Sequence, residues 1–232
     1  MKRFWKEART EQVENGWLIR LDGRPVRTPA RRLCIVPVAG MADGIAAEWN
    51  AQGPRVDPFS MPLTRAASTC LDRVMPEIEN VRRNIAAFGG TDLLCYRAPG
   101  PVELIRRQEE GWDPLLDWAA DRLGARLAVG EGVMHIAQPQ DAIERLAAHI
   151  RTFDAWELTG LSELTTLSGS LIIGLAVLHG HLLPEDGWAL SRLDEQWNID
   201  QWGEDAEASL QSARREADFL AAARQLRLLG QS

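Results

Sequence analysis

The stretch "ENGWLIRLDGRPVRTPARRLCIVP", residues 14–37, decides the fold class because it carries a clear β pattern in a chain that is otherwise mostly helical. It contains two turn signals, Asn15-Gly16 and Asp22-Gly23, and both pairs tolerate the positive φ that tight hairpin turns require. Between the turns, every second residue is apolar and shares one face. These residues are Trp17, Ile19 and Leu21. With "LCIVP" as a further short strand, the stretch predicts an antiparallel β-meander.

After this stretch, apolar residues recur mainly at helical spacing. In one of these segments, Pro76 opens a predicted helix and Gly89-Gly90 closes it, and the composition shifts at the same glycines. The predicted fold class is therefore α+β. A small N-terminal antiparallel β-meander with helices occupies residues 1–90, and a larger all-α helical bundle occupies residues 91–232.

Several local predictions concern the C-terminal part. The segment around Asp113-Pro114 predicts two helices with a break, in which Asp113 caps the second helix. "SELTTLSGSLIIGLAVLHG", residues 162–180, is apolar nearly all round and predicts a buried central helix. "TDLLCYRA", residues 91–98, is compatible with either strand or helix. The glycines of residues 130–132 suggest a loose hairpin.

Composition and charge exclude several classes of partner. The chain has 232 residues and a formal net charge of −7, which argues against nucleic acid and anionic membranes as partners. Its most apolar run, Leu171 to Leu183, is shorter than the roughly 20 residues of a membrane span. The start "MKRFWKEART" lacks the apolar core of a secretory signal. We therefore expect a cytoplasmic protein without membrane insertion.

No catalytic signature is present in the sequence. It lacks GxSxG, HExxH and the phosphate-binding GxxxxGK[ST]. Cys34, Cys70 and Cys95 are scattered and form no CxxC pair, so reduced thiols are expected and no metal or cofactor is assigned. The "HGH" of residues 179–181 could face a pocket, although the helix dipole also explains its place at a helix end. We assign no catalytic residue and expect no small-molecule substrate.

A second informative stretch is "SRLDEQWNIDQWGEDAEA", residues 191–208, which interleaves acids with tryptophans. If residues 188–202 form one helix, the residues on one side make an ordinary core-facing stripe, and Glu195 lies opposite that stripe. The stripe contains Leu190, Leu193 and Trp197. The residues that share the side of Glu195, within roughly 40°, are Trp188, Ile199 and Trp202.

Two interpretations of this second apolar face remain open. In the first, the helix is buried on both sides and Glu195 pairs with a buried arginine, for which Arg65 is one candidate. In the second, the face binds a partner, with aromatic area supplying affinity and one carboxylate supplying specificity. An enzyme of unrecognised chemistry, with a site near this acidic, tryptophan-rich helix, is the alternative to a binding protein.

Eight segments occur in a specific order and spacing: "RFWKEA", "LDGRPVRTPA", "EWNAQG", "MPLTRAASTCLDRV", "TDLLCYRA", "QEEGWDPLLDWA", "SGSLIIGLAVLHG" and "DEQWNIDQWGEDAEA". With these segments the sequence resembles the ATP-twelve chaperone family over nearly the whole chain. The resemblance implies a non-enzymatic assembly factor for the catalytic sector of the F-type ATP synthase. Such a factor binds the free alpha subunit and prevents its aggregation until the beta subunit replaces it.

The resemblance also implies a site. The family has a functionally essential acid in its C-terminal "EE-x-x-Q-I-x-x-WG" segment, which reads "DEQWNIDQWG" here. The role falls on Glu195, with Asp194 as the close competitor. Asn198 and Trp197 depart from the family pattern and leave the register of the face open. Family members occur in mitochondria and alphaproteobacteria, so the resemblance implies a bacterial cytoplasmic protein with relatives in the mitochondrial matrix.

Overall fold

The computed structural model describes residues 2–230, and it divides the chain into two compact units. The first unit comprises Met1–Ile78, Ala155–Gly160 and Ala221–Ser232, and the second comprises Glu79–Asp154 and Leu161–Leu220. The fold class is α+β, as predicted, with a small antiparallel sheet near the N-terminus and a mostly helical remainder. The predicted domains, residues 1–90 and 91–232, are a statement about which segments fold independently, and this division stays a prediction.

The N-terminal sheet has β2 at its centre. Strands β1 and β2 pair antiparallel along their full length, whereas β3 and β4 each pair with part of the other edge of β2. These strands are β1 (Ala8–Val13), β2 (Gly16–Leu21), β3 (Arg24–Pro25) and β4 (Ile35–Val36). Asp22 and Gly23 both have positive φ, 45° and 82°, as the turn signal requires. The predicted meander therefore holds for the first three strands, and β4 returns to β2.

Helices make up most of the remaining chain. The α-helices are α1 (Ala39–Asn50), α2 (Pro62–Thr69), α3 (Ile78–Ala87), α4 (Val102–Leu123), α5 (Gln140–Ile150), α6 (Ala155–Ser168), α7 (Leu171–Leu178), α8 (Pro184–Ser191), α9 (Leu193–Trp202) and α10 (Ala206–Leu229). A π-helical turn, Cys70–Val74, and a 3-10 turn, Met75–Glu77, connect α2 to α3. None of the helices in residues 2–230 is long and apolar enough to cross a membrane.

In the first unit, the side chain of Glu48 on α1 caps α2. Its carboxylate accepts hydrogen bonds from the backbone N–H groups of Leu63 and Thr64, at 2.7 and 2.8 Å. Pro62 occupies the first turn of α2, where its missing N–H costs nothing. The "MPLTR" segment therefore begins a helix whose orphan donors are satisfied by a neighbouring helix.

In the second unit, the predicted buried central helix consists of two helices, α6 and α7. Gly169 interrupts them with a φ of 74°, and the Ser170 hydroxyl then caps α7 by accepting from the N–H of Ile173 at 3.0 Å. Burial was predicted correctly for residues 171–177, whose side chains are all buried, whereas Glu163 and Thr166 on α6 are exposed. The prediction of one continuous helix was wrong, because "SGS" supplies both a glycine in the left-handed conformation and a serine that caps the next helix.

Two other local predictions were wrong. Helix α4 is continuous across Pro114, so Asp113 does not cap a second helix; its carboxylate accepts from the guanidinium of Arg97 at 2.6 Å. The glycines near residue 130 form no hairpin, because β6 (Gly130–Glu131) pairs in parallel with β5 (Tyr96–Arg97). The ambiguous segment that contains β5 is part 3-10 turn, Leu93–Cys95, and part strand.

Candidate functional site

The segment predicted as one helix over residues 188–202 is two helices, α8 and α9, separated at Arg192. Arg192 has φ −111° and ψ 14°, which are not helical values. At the break, the N–H of Arg192 bonds to the carbonyl of Ala189 and not to that of Trp188, which accepts from the hydroxyl of Ser191 at 2.7 Å. The assumption of a single helix is therefore wrong.

The break changes the position of Trp188. Its side chain is only 5% exposed, and its ring centroid lies 5.7 Å from that of Phe219. The guanidinium of Arg192 lies over the same ring at 5.1 Å from the centroid. The prediction that Trp188 lies on an outward face beside Glu195 is therefore a mistake, because this residue belongs to the core of the second unit.

The inner side of α9 packs against α4, as the core-facing stripe predicts. Gly111 of α4 gives room for this contact, since a Cβ there would lie 2.8 Å from a methyl group of Leu190 and 3.4 Å from one of Leu193. Further along, the guanidinium of Arg107 lies 4.7 Å from the ring centroid of Trp197. It also donates to the carboxylate of Asp200 at 2.8 Å. These contacts fix the rotation of α9 about its axis.

The two adjacent acids have different surroundings. Asp194 turns inward and accepts a hydrogen bond from the side-chain amide of buried Gln108 at 2.7 Å. Glu195 turns outward, with its side chain 60% exposed, and its Oε1 accepts from Nη1 of Arg192 at 2.7 Å. Burial lowers the pKa of Arg192, and the nearby carboxylate of Glu195 opposes that shift. Asp194 is thus engaged inside the fold, whereas Glu195 is accessible.

Glu195, Ile199 and Trp202 occupy positions i, i+4 and i+7 of α9 and share its outer side. We call these three residues the α9 outer face. Ile199 is 37% exposed and Trp202 is 86% exposed, so an aliphatic and an aromatic side chain lie in solvent next to a carboxylate. This part of the predicted geometry is right, because α9 alone is long enough to align these three residues.

Sequence reasoning missed the residues that hold this face in place. Arg192 is the only basic residue between Ser191 and Ala208, and it precedes Glu195 by three positions, a spacing typical of helical ion pairs. That signal could have identified the pair. Gln108 and Arg107 gave no comparable signal, because their contacts with α9 join positions 86 and 93 residues apart.

A second group of functional side chains surrounds the predicted "HGH". The Nε2 atoms of His149 and His179 lie 2.7 Å apart, and the ring of His181 stacks on Trp118 with centroids 5.0 Å apart. An open cavity of about 650 Å³ adjoins these rings. Its lining also includes Asp121 and Arg122. Across residues 2–230, no group of three or more His, Cys, Asp or Glu side chains could hold a metal ion.

Comparisons with known proteins agree on one family. The sequence model described as ATP12 chaperone protein matches residues 2–120. The crystal structure of Atp12 from Paracoccus denitrificans is 42% identical, with a TM-score of 0.94 over 98% of this chain and 97% of that one. A mutant of P. denitrificans Atp12p, 41% identical with the same coverage, gives the same TM-score. "Protein atp12, mitochondrial" of Schizosaccharomyces pombe is 29% identical over 87% of this chain and 74% of its own length.

An ordered helix that exposes an aromatic and an aliphatic side chain beside a carboxylate is typical of a protein that binds other proteins. This class agrees with the comparisons, which describe chaperones. The chain belongs to the ATP12 chaperone family. It is accordingly a chaperone of ATP synthase assembly.

Proposed function

We propose that this chaperone binds the unassembled alpha subunit of the F-type ATP synthase catalytic sector and prevents its aggregation until the beta subunit replaces it. Family membership supports the process, and the α9 outer face supports the mode of binding. An unassembled subunit exposes apolar surface meant for its neighbour, and such a surface aggregates if left bare. A holding chaperone needs a matching apolar surface and no catalytic step.

The single observation that carries the proposal is that Ile199 and Trp202 are exposed on a helix whose other side contacts α4 through Asp194 and Trp197. Leaving a tryptophan 86% exposed has no benefit for folding, because its apolar area stays in water. Exposed aromatic side chains on rigid elements are the usual anchors of protein interfaces. Trp202 is thus the proposed anchor residue for the client.

Within the proposed site, Glu195 contacts the client directly, together with Ile199 and Trp202. Asp194 acts indirectly, because its hydrogen bond to Gln108 holds the start of α9 against α4. Trp188 also acts indirectly, as the buried ring under Arg192. This division favours Glu195 over Asp194 as the residue with the family's essential acidic role. Kinship with bacterial relatives supports a location in the bacterial cytoplasm.

Co-purification with isolated subunits tests the proposal. The tagged chain is mixed separately with purified alpha subunit and purified beta subunit, and we expect capture of alpha alone. Glu195→Lys should abolish capture while leaving the protein folded, because the side chain is exposed, although loss of the pair with Arg192 should lower the melting temperature. Glu144→Lys, an exposed acid on α5, is the matched control and should still capture alpha. Capture of beta alone, or of neither subunit, would refute the proposed function.

A further inference from the structure

Only one of the two carboxylate oxygens of Glu195 accepts a hydrogen bond from the described residues. Oε1 accepts from Arg192, whereas Oε2 has no hydrogen-bond partner among residues 2–230. A carboxylate offers two oxygens and about four lone-pair sites, so Oε2 can accept from a further donor. Because Glu195 is exposed, that donor can come from another molecule.

Arg192 holds this carboxylate in a fixed position. Its own side chain is only 18% exposed, its Nε lies 3.4 Å from the hydroxyl of Ser191, and its guanidinium covers the buried ring of Trp188. An arginine confined in this way has few alternative rotamers, so the carboxylate that pairs with it is also confined. The second oxygen therefore has a defined direction before any partner arrives.

The sequence around the α9 outer face is acidic, although Arg192 pairs with Glu195 and Arg107 of α4 pairs with Asp200. Residues 185–207 contain eight acids and one base, Arg192. Three of these acids follow directly after Trp202 and are exposed. They are Glu204, Asp205 and Glu207. A cationic partner is attracted to both ends of the face, whereas an acidic partner would be repelled.

A purely apolar partner also fits poorly. It would cover Ile199 and Trp202, but it would remove water from Oε2 of Glu195 without replacing the lost hydrogen bonds. Leaving a charged acceptor unpaired on burial is strongly unfavourable. The partner surface must therefore combine a cationic donor with apolar side chains.

We infer that the α9 outer face binds a segment of the alpha subunit that carries a lysine or arginine beside apolar side chains. The basic group donates to Oε2 of Glu195, and the apolar groups cover Ile199 and Trp202, about 6 and 10 Å further along the helix. Arg192 is a positioning residue that orients the carboxylate and makes no contact with the client. This inference rests on the proposed function and adds the chemistry of the client surface.

The test measures the affinity of the purified chaperone for purified alpha subunit at low and at high salt. Glu195→Gln keeps the size of the side chain and removes its charge. We expect a loss of affinity of about 10- to 100-fold at low salt, the range for a hydrogen bond to a charged group. The salt dependence of the affinity should also become weaker than in the wild type. Glu144→Gln should change neither quantity.

Arg192 requires a second comparison, because removing it could disturb the core. Arg192→Met should weaken binding, and Arg192→Lys should restore part of the loss. If Arg192→Met and Arg192→Lys melt at the same temperature, a difference in stability cannot explain stronger binding by Arg192→Lys. Stronger binding by Arg192→Met would mean that Arg192 competes with the client cation, and it would overturn the positioning role.

Photo-crosslinking gives a measurement that needs no change of charge. A photoreactive phenylalanine analogue at Ile199 should crosslink a peptide of the alpha subunit that contains a lysine or arginine within two helical turns of the crosslink. A crosslinked peptide without a basic residue would overturn the inference, as would unchanged affinity and salt dependence in Glu195→Gln. In either case, binding of alpha by the wild type would leave the proposed function intact. Absence of wild-type binding would refute the proposed function, and this inference with it.

Discussion

The side-chain amide of Gln108 donates to the carboxylate of Asp194 at 2.7 Å, although the two residues are 86 positions apart. The amide oxygen of Gln108 also accepts from the backbone N–H of Ala98 at 2.9 Å. One buried side chain thus joins helix α4, the start of helix α9 and the loop that follows β5. The direction in which Glu195 points depends on this link, because Asp194 next to it is held inward.

Gln108→Leu should destabilise the protein, because it leaves two polar groups without their partner. The cost of an unsatisfied buried group is about 1–3 kcal/mol, so we expect the free energy of unfolding to fall by roughly that amount. Urea denaturation measures it. Gln140→Leu removes an exposed amide on α5 as a control and should change the free energy by less than about 0.5 kcal/mol. Equal effects of the two variants would refute the structural role of Gln108.

Removal of Trp188 should affect stability, whereas removal of Trp202 should affect binding. Trp188→Ala deletes a buried ring and should cost about 3–5 kcal/mol of stability. Trp202→Ala removes an exposed ring, so stability should stay within about 0.5 kcal/mol, while affinity for the alpha subunit should fall by about 30-fold or more. Chemical denaturation and a binding titration separate the two effects.

Phe59→Ala is the matched control for Trp202→Ala, because Phe59 is 84% exposed on a 3-10 turn, Pro58–Ser60, of the first unit. It should alter neither stability nor affinity. If Phe59→Ala weakened binding as much as Trp202→Ala, the client would not be recognised by the α9 outer face alone.

The sequence was sufficient to predict the elements whose cause is local. The turn at Asp22-Gly23 follows from two residues that tolerate positive φ, and the alignment of Glu195 with Ile199 follows from helical spacing alone. Helix ends were less predictable. Pro114 did not end α4, whereas α8 ends at Arg192 without any glycine or proline. The Ser191 hydroxyl bonds to the backbone at this end, and helix propensity does not reveal the break.

The candidate site was predictable in part for the same reason. Local spacing places Glu195, Ile199 and Trp202 together, but it cannot reveal which side of the helix meets α4. That choice depends on Gly111 and Arg107, which are distant in sequence. Trp188 was misplaced because the break at Arg192 rotates α8 relative to α9.

Asp92 should make stability depend on pH in an unusual direction. Its carboxylate is fully buried and accepts from the backbone N–H groups of Leu94 and Ile172, at 3.1 and 3.0 Å. Burial outweighs these hydrogen bonds and raises the pKa of Asp92 to about 6. A pKa that is higher in the folded state means that the folded state binds the proton more tightly. The contribution of Asp92 is therefore present at pH 4 and is lost as the pH rises to about 6.

Comparison with Asp92→Asn isolates this contribution. The free energy of unfolding of the wild type, minus that of the variant, should increase by about 2 kcal/mol as the pH falls from 7 to 4. Other carboxylates titrate in both proteins, so their effects cancel in the difference. A difference that stays constant over this range would show that the carboxyl titrates normally.

The histidine pair should make stability depend on pH in the opposite direction. Burial lowers the pKa of both His149 and His179. The positive charges of His149 and Arg122 lower the pKa of His179 further. The other charged or titratable groups at this cavity are Asp121, Arg122 and His181. At 2.7 Å, the two Nε2 atoms can share one proton but cannot both carry one without mutual repulsion. Stability from the pair is thus present above the ordinary histidine pKa of about 6.5 and is lost as the pH falls below it.

We expect the wild type to lose more stability between pH 7 and pH 5 than the His149→Gln variant, because that variant cannot place two positive charges side by side. Thermal melting at a series of pH values measures the difference. His135→Gln, which removes an exposed histidine outside the cavity, should follow the wild-type curve. If His149→Gln also followed it, the pair would separate on protonation without cost, and the contact between α5 and the end of α7 would not respond to pH.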